Sequence, residues 1–483
     1  MLASDFRADH VPLTVRIAGG LVRGTATSTG AVFRSIPYAM PPVGPHRFAA
    51  PRPAPRWSGT RDATRPGPNA PAPHRRFGDM NLTSILGPGG YSGDDYLSVT
   101  VSTPDTATRG LPVLVFVHGG GLTAGTGSAR MYEGTSFTRD GVVLVTLNYR
   151  LGAAGWLDVP DAPANRGLLD VIAALRWVAA NIESFGGDPD EVTVAGQSAG
   201  AMIVAALLAC PAASGLFRRA ISQSGTGDCA VEPVQAALTT AAVSRLLGVE
   251  ATAASLAGLS ETQLAELPLK LSPPDLAAHG FLDTSVGSSP YKPVVDGVLL
   301  TGQPADTLPP DLTTDLLIGH NSDEANLYTV PEGLDRTAGE AELSQAARRK
   351  FTDPVARLAG YRSRFPDESA GRMLARITTD AFTAGSRRLA ASHLARSSGS
   401  TYSYEFRWSS SAYEGRLGAC HCVELPFVFD VVALPELCAD HGLLGPSEPA
   451  FTLARQVHGD WVRFVERGDP GWDDDTRHEF GGD

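Results

Sequence analysis

The sequence predicts an α/β fold: a mostly parallel central sheet with helices on both faces. Three observations predict it. From residue 97 onward, strand-like and helix-like patterns alternate along the chain. The strand candidates are near-continuous apolar runs, as strands buried on both faces require. One of them, "EVTVAG", passes through a glycine-flanked serine directly into a small-residue helical run.

Taken in order, residues 41–75 are rich in Pro and Arg and read as surface loops. "LSVTVSTP" (97–104), "PVLVFVHGG" (112–120) and "GVVLVTLNYR" (141–150) read as strands, the second running into glycines. "NRGLLDVIAALRWVAANI" (165–182) puts Leu168, Ile172, Leu175, Ala179 and Ile182 on one helical face, widened by Val171 and Val178. "EVTVAG" is a short strand and "AGAMIVAALLAC" a helix. "TDLLIGH" (314–320) and "TYSYEFRW" (401–408) are later strands. Helical segments between these two, rich in Ala and charge, could cap the sheet. Ligands of such sheets bind beyond the carboxyl ends of the strands.

The bulk numbers set limits. The chain has 483 residues, 43% hydrophobic and 19% charged, enough for a large core without staples. A net charge of -12 argues against a nucleic-acid partner, which would need a basic face. Five cysteines at irregular spacing fit reduced thiols in a cytosol. Cys420 and Cys422 flank His421, but no further CxxC or HxxxH supports a metal site. The N-terminal stretch mixes charges and has no apolar core, unlike a signal peptide. The longest apolar stretch, 199–209, is shorter than the ~20 residues of a membrane span. A cytoplasmic protein, monomer or homodimer, is expected.

Gly196-Gln197-Ser198-Ala199-Gly200 fits G-x-S-x-G in the strand-turn-helix context that this motif needs. So sharp a turn strains its central residue and requires small neighbours at 196 and 200. Ser198 would sit at the tip, over a helix N-terminus that favours developing negative charge. A phosphate-cradling loop would want a Lys, and none is near. His118-Gly119-Gly120-Gly121 ends a buried strand, leaving N–H groups that could face an oxyanion. A serine also needs a base and an orienting carboxylate. His421 follows the strand 401–408. His320 follows a strand too, but leaves little room for an acid before it. Asp323 and Glu324 follow the strand 314–319, and Asp296 in "PVVDG" reads better as a turn residue.

Together these residues resemble the type-B carboxylesterases, the carboxylesterase and cholinesterase group of α/β-hydrolases. The resemblance covers nearly the whole chain. It runs from "FRSIPYAMPPVGPHRFAAP" (33–51) through "VFVHGGGLTAGTGS" (115–128), "LNYRLGAAGWL" (147–157) and the segment 165–201. It continues in "FRRAISQSG" (217–225), "KPVVDG" (292–297), "IGHNSDEANLY" (318–328), "GACHCVELPFVF" (418–429) and "WVRFVERGDP" (461–470). It implies one α/β-hydrolase domain over 1–483, with cap-like insertions within 230–290 and 330–400. It implies a serine ester hydrolase for small to medium, largely apolar esters, working through an acyl-enzyme without metal or organic cofactor. Ser198 resembles the nucleophile, Glu324 rather than Asp323 the triad acid, and His421 the base. Gly120, Gly121 and Ala199 match the oxyanion donors. Ser224 and Glu424 match a polar shell beside the base. Leu122, Ser289, Tyr291, Leu327 and Tyr328 match pocket positions.

The departures carry information of their own. Gln197 stands where the family usually has Glu, and Cys422 where it usually has Gly. Ala70 and Tyr96 occupy the positions of an early disulfide found in many secreted members. The six Trp lie outside 75–90, where cholinesterases hold choline on a Trp. Amide or carbamate cleavage, and acyl transfer, would use the same triad. A non-catalytic binding protein on this fold would lack a triad member.

Overall fold

The computed structural model describes residues 13–482 except 272–273, 284, 286, 288 and 475. Twelve strands form one sheet: β1 Leu13–Ile17, β2 Gly20–Thr27, β3 Gly30–Pro37, β4 Thr60–Asp62, β5 Ser98–Thr103, β6 Leu111–Val117, β7 Val143–Leu147, β8 Gly187–Gln197, β9 Arg219–Gln223, β10 Asp315–Asn321, β11 Thr401–Phe406 and β12 Arg477–Phe480. The order is β1-β2-β3-β5-β7-β6-β8-β9-β10-β11-β12, with β4 beside β2. From β7 across to β12 every neighbour is parallel. The α/β-hydrolase expectation of a mostly parallel sheet therefore holds for the part that bears the candidate residues.

The other end differs from the alternating pattern. β1, β2, β3, β5 and β7 pair antiparallel. The predicted strand 97–104 thus lies wholly in the antiparallel part, and β7 is the strand where the two regimes meet. Antiparallel neighbours joined by tight turns, as β1, β2 and β3 are, need no crossover helix, so no helical pattern in the sequence marks them. β4 lies inside the stretch 41–75 that reads as loops, and the rest of that stretch is irregular apart from one short 3-10 turn.

The centre is apolar for the expected reason. Val113, Leu114, Val115, Phe116 and Val117 of β6, and Val192, Val194 and Ala195 of β8, are buried. These strands lie between helical layers and have no wet face. The helix Arg166–Asn181 buries Leu168, Val171, Ile172, Leu175 and Val178. Ala179, expected on that stripe, is exposed. The buried face is centred on Val171, Leu175 and Val178 and takes in Ala174 and Asn181, so Ala179 falls beyond its edge. At that helix Asp170 meets the fully buried Arg150 guanidinium at 2.7 Å. Ala70 and Tyr96 are both buried in the main apolar core.

Helices Pro233–Leu247 and Glu261–Lys270 follow β9. Helices Glu340–Lys350, Pro354–Arg364 and Ala370–Arg396 lie between β10 and β11, and Leu343, Ala347, Met373 and Ile377 form a small apolar cluster of their own. No described helix is long and apolar enough to cross a membrane. Asp296 is a turn residue, as read: its Oδ1 accepts the N–H groups of Val298, Leu299 and Leu300.

Candidate active site

Because β6, β8, β9, β10 and β11 are adjacent and parallel, their carboxyl ends share one edge of the sheet. That edge gathers residues far apart in sequence. β6 delivers His118 to Gly121, β8 Ser198, β9 Ser224 and β10 Glu324, and the loop after β11 delivers His421.

Ser198 directly follows β8 at φ 57 and ψ -120, a backbone state that costs on the order of 1–3 kcal/mol. What holds it there is the surrounding backbone. Its N–H donates to Gln223 O at 2.9 Å, and the helix Ala199–Leu208 begins at the next residue. The small neighbours are obligatory. A Cβ on Gly196 would lie 2.4 Å from the Gly200 carbonyl, and one on Gly200 would lie 2.0 Å from Val117 O.

His421 Nε2 and Ser198 Oγ are 2.7 Å apart, and His421 Nδ1 lies 2.5 Å from Glu324 Oε2. Both His421 and Glu324 are buried. Nδ1 therefore donates to the carboxylate, and Nε2 is left to accept from the serine hydroxyl. Glu324 Oε1 accepts the Asn321 N–H at 2.8 Å. Burial works to raise the Glu324 carboxyl. The imidazole, the Asn321 N–H and the nearby Ser224 outweigh it, so the group stays ionised below its ordinary range. Asp323 takes no part. Its Oδ2 accepts from Ser322 Oγ at 2.7 Å and from the Ala419 N–H at 3.2 Å. His320 is a buried imidazole against Asn321 O.

Gly120 and Gly121 have φ of 112 and 64, so both lie in the region open to glycine. Among the described residues no acceptor takes the N–H of Gly120, Gly121 or Ala199. All three line the same cleft as Ser198 and His421. His118 supports this loop from beneath. It stacks on Tyr149 with centroids 4.5 Å apart, its Nδ1 meets Gly119 O at 2.8 Å, and burial pushes its pKa down to about 4, so it is neutral.

Glu424 is fully buried and shares Asn321 with the Glu324 carboxylate: Asn321 Nδ2 donates to Glu424 Oε2 at 2.6 Å. Burial first, then the charge of Glu324, pushes its pKa up to about 7 against the pull of Asn321. A folded value above the unfolded one means the proton stabilises the fold. That contribution is present at low pH and is lost as pH rises from about 4.5 to about 7. Glu424→Gln, which carries no proton to lose, is expected to gain melting temperature relative to wild type across that window; scanning calorimetry at several pH values checks it. Ser224 Oγ is buried near Glu324 without a well-aligned hydrogen bond.

The two departures from the resembled pattern touch each other. Cys422 has φ 72, where glycine is usual for steric reasons, and its thiol donates to Gln197 Oε1 at 3.4 Å. Cys420 is buried with its thiol against His421 O. Among the described residues no group of three His, Cys, Asp or Glu could hold a metal ion.

The cleft encloses ≈ 760 Å³, part of it open solvent. Leu122, Ser289, Tyr291, Leu327 and Tyr328 all line it, and Leu122, Tyr291 and Leu327 are core residues as well. Sequence reasoning missed Asn321 and the stretch 75–86, which supplies Arg75, Phe77, Leu82, Ile85 and Leu86. Within that stretch, which has no Trp, Phe77 packs edge-on to Tyr328, with centroids 5.9 Å apart.

The profile of the carboxylesterase family matches residues 11–479. The chain belongs to the carboxylesterase family. It is 33% identical over 467 residues to the para-nitrobenzyl esterase of Bacillus subtilis (strain 168), covering 93% of this chain and 89% of that one. It is also 33% identical over 459 residues to the phenmedipham hydrolase of Pseudarthrobacter oxydans, covering 91% and 87%. A solved carboxylesterase of Geobacillus stearothermophilus superposes with a TM-score of 0.80 at 32% identity, covering 95% of this chain and 91% of the other. This carboxylesterase is thus a serine ester hydrolase on the α/β-hydrolase fold. The hydrogen-bonded line of Ser198, His421 and Glu324 lies at the carboxyl edge of its sheet.

Proposed function

We propose that Ser198 is the nucleophile, His421 the general base and acid, and Glu324 the orienting carboxylate. The observation that carries this is the unbroken line from Ser198 Oγ through both ring nitrogens of His421 to Glu324. His421 takes the serine proton as Oγ adds to the ester carbonyl. The N–H groups of Gly120, Gly121 and Ala199 receive the oxyanion. His421⁺ then protonates the leaving alcohol, and the same base draws a proton from water to release the acid. Glu324 stays ionised throughout and stabilises the imidazolium. Asn321 holds the Glu324 carboxylate through its backbone N–H, Glu424 in turn holds the Asn321 side chain, and Ser224 lies beside the carboxylate.

Small to medium, largely apolar acyl and alcohol groups suit a cleft walled by Leu122, Leu327, Tyr291 and Tyr328 beside Ser289. The helices within 233–270 and 334–396 are proposed as cap insertions on a single domain. The five cysteines are all free, which supports a reducing, cytoplasmic setting. A rapid-mixing experiment with para-nitrophenyl butyrate tests the acyl-enzyme. One equivalent of nitrophenolate per chain should appear in a burst, with the butyryl mass on the peptide containing Ser198. Acylation of any other residue would sink the assignment.

A further inference from the structure

The cleft wall carries an unpaired cation that the esterase chemistry does not use. Arg75 donates through Nη1 to Gly120 O at 3.3 Å and lies 3.5 Å from Thr123 Oγ1. Its guanidinium carbon sits 5.3 Å from the centroid of Phe77. Nη1 is 3.2 Å from where a Cβ on Gly121 would stand, so the charge lies beside the glycine loop. Among the described residues no carboxylate pairs with it. Among the described residues no hydrogen bond engages its Nε or Nη2, and neither atom is sealed from solvent. Lys292, the other cation of the wall, is neutralised by Asp283 at 2.7 Å.

The surroundings sharpen the contrast. The whole chain carries a net charge of -12, yet among the described residues no Asp or Glu lines this cleft. Burial lowers the Arg75 pKa, and the neighbouring ionisable group that opposes this is the phenol of Tyr328. A half-buried guanidinium with donors to spare and, among the described residues, no counter-charge is suited to an anion. Low-dielectric walls strengthen that attraction, and the planar fork matches a carboxylate.

We propose that Arg75 is the anion-recognising residue of this cleft and that the preferred esters carry a carboxylate a short chain from the scissile bond. This rests on the reading of Ser198 as nucleophile and deepens it. The carboxylate could belong to the acid or to the alcohol half, and the chemistry at Arg75 is the same.

The test compares wild type, Arg75→Gln and Arg75→Lys on three esters. They are para-nitrophenyl butyrate, neutral; mono-para-nitrophenyl glutarate, with a carboxylate on the acyl side; and para-butyryloxybenzoate, with one on the alcohol side. The expected result is a kcat/KM loss in Arg75→Gln at least about tenfold larger on one anionic ester than on butyrate. The loss should fall mainly on KM, and Arg75→Lys should restore part of it. The anionic ester affected assigns the half that carries the charge. Equal losses on all three esters would mean that Arg75 only holds the Gly120 carbonyl, and would overturn the proposal. So would a wild type that hydrolyses butyrate but neither anionic ester. The parent reading fails separately, through undiminished butyrate turnover by a Ser198 variant.

Discussion

Ser198→Ala is expected to lower kcat on para-nitrophenyl butyrate by on the order of 10⁵-fold or more. The methyl side chain cannot add to the carbonyl, and His421 Nε2, which meets Ser198 Oγ at 2.7 Å, loses its partner. The fold should survive. Alanine tolerates φ 57 no worse than serine, and the backbone bond from residue 198 to Gln223 O is untouched. Circular dichroism and the melting temperature should therefore match wild type within a few degrees. The proposed oxyanion donors, the N–H groups of Gly120, Gly121 and Ala199, remain, so residual hydrolysis above the rate in water is expected. Turnover close to wild type would remove Ser198 from the mechanism.

Glu324→Gln carries the second large effect, a loss of about 10⁴-fold in kcat. The side chain keeps its shape, but its amide can donate to Nδ1. That favours the tautomer with a proton on Nε2, which then faces Ser198 and cannot accept its proton. The imidazolium of the transition state also loses its counter-charge. Asp323→Asn should change kcat only a few-fold, because the bonds of Asp323 run to Ser322 and the Ala419 N–H and not to the ring. Steady-state kinetics on both variants decide the matter, and the reverse ranking would move the acid by one residue.

The parts of the site that were legible in the sequence are those fixed by local geometry. Gly196, Ser198 and Gly200 announce a turn with no room for side chains, and the contacts a Cβ would meet at 196 and 200 are the reason. His118 to Gly121 announce free N–H groups in the same way. The choice of Glu324 over Asp323 was not legible from the residues, since both follow one strand. It came from resemblance, and the structure distinguishes them by which carboxylate reaches Nδ1. Asn321 was missed because a residue that meets one carboxylate with its backbone N–H and a second with its side-chain amide has no sequence signature. Arg75 was missed because it lies in a loop-rich stretch whose position is set by contacts with residues some 45 further along. The antiparallel strands β1 to β3 escaped for a related reason: short alternating segments joined by tight turns give a weaker pattern than a strand followed by a helix.

The register at the carboxyl edge has a thermal consequence. The Ser198 N–H bonds to Gln223 O, and the Ser224 N–H bonds to Gly319 O, so the ladder between β8, β9 and β10 extends one residue past each strand into the reactive loops. Ser198 and the strand that leads to Glu324 are therefore rungs of a buried part of the sheet. Such rungs open only with the cooperative unit that contains them. Heat should find no partly melted form with an intact sheet and a dead centre; inactivation and global unfolding are one event.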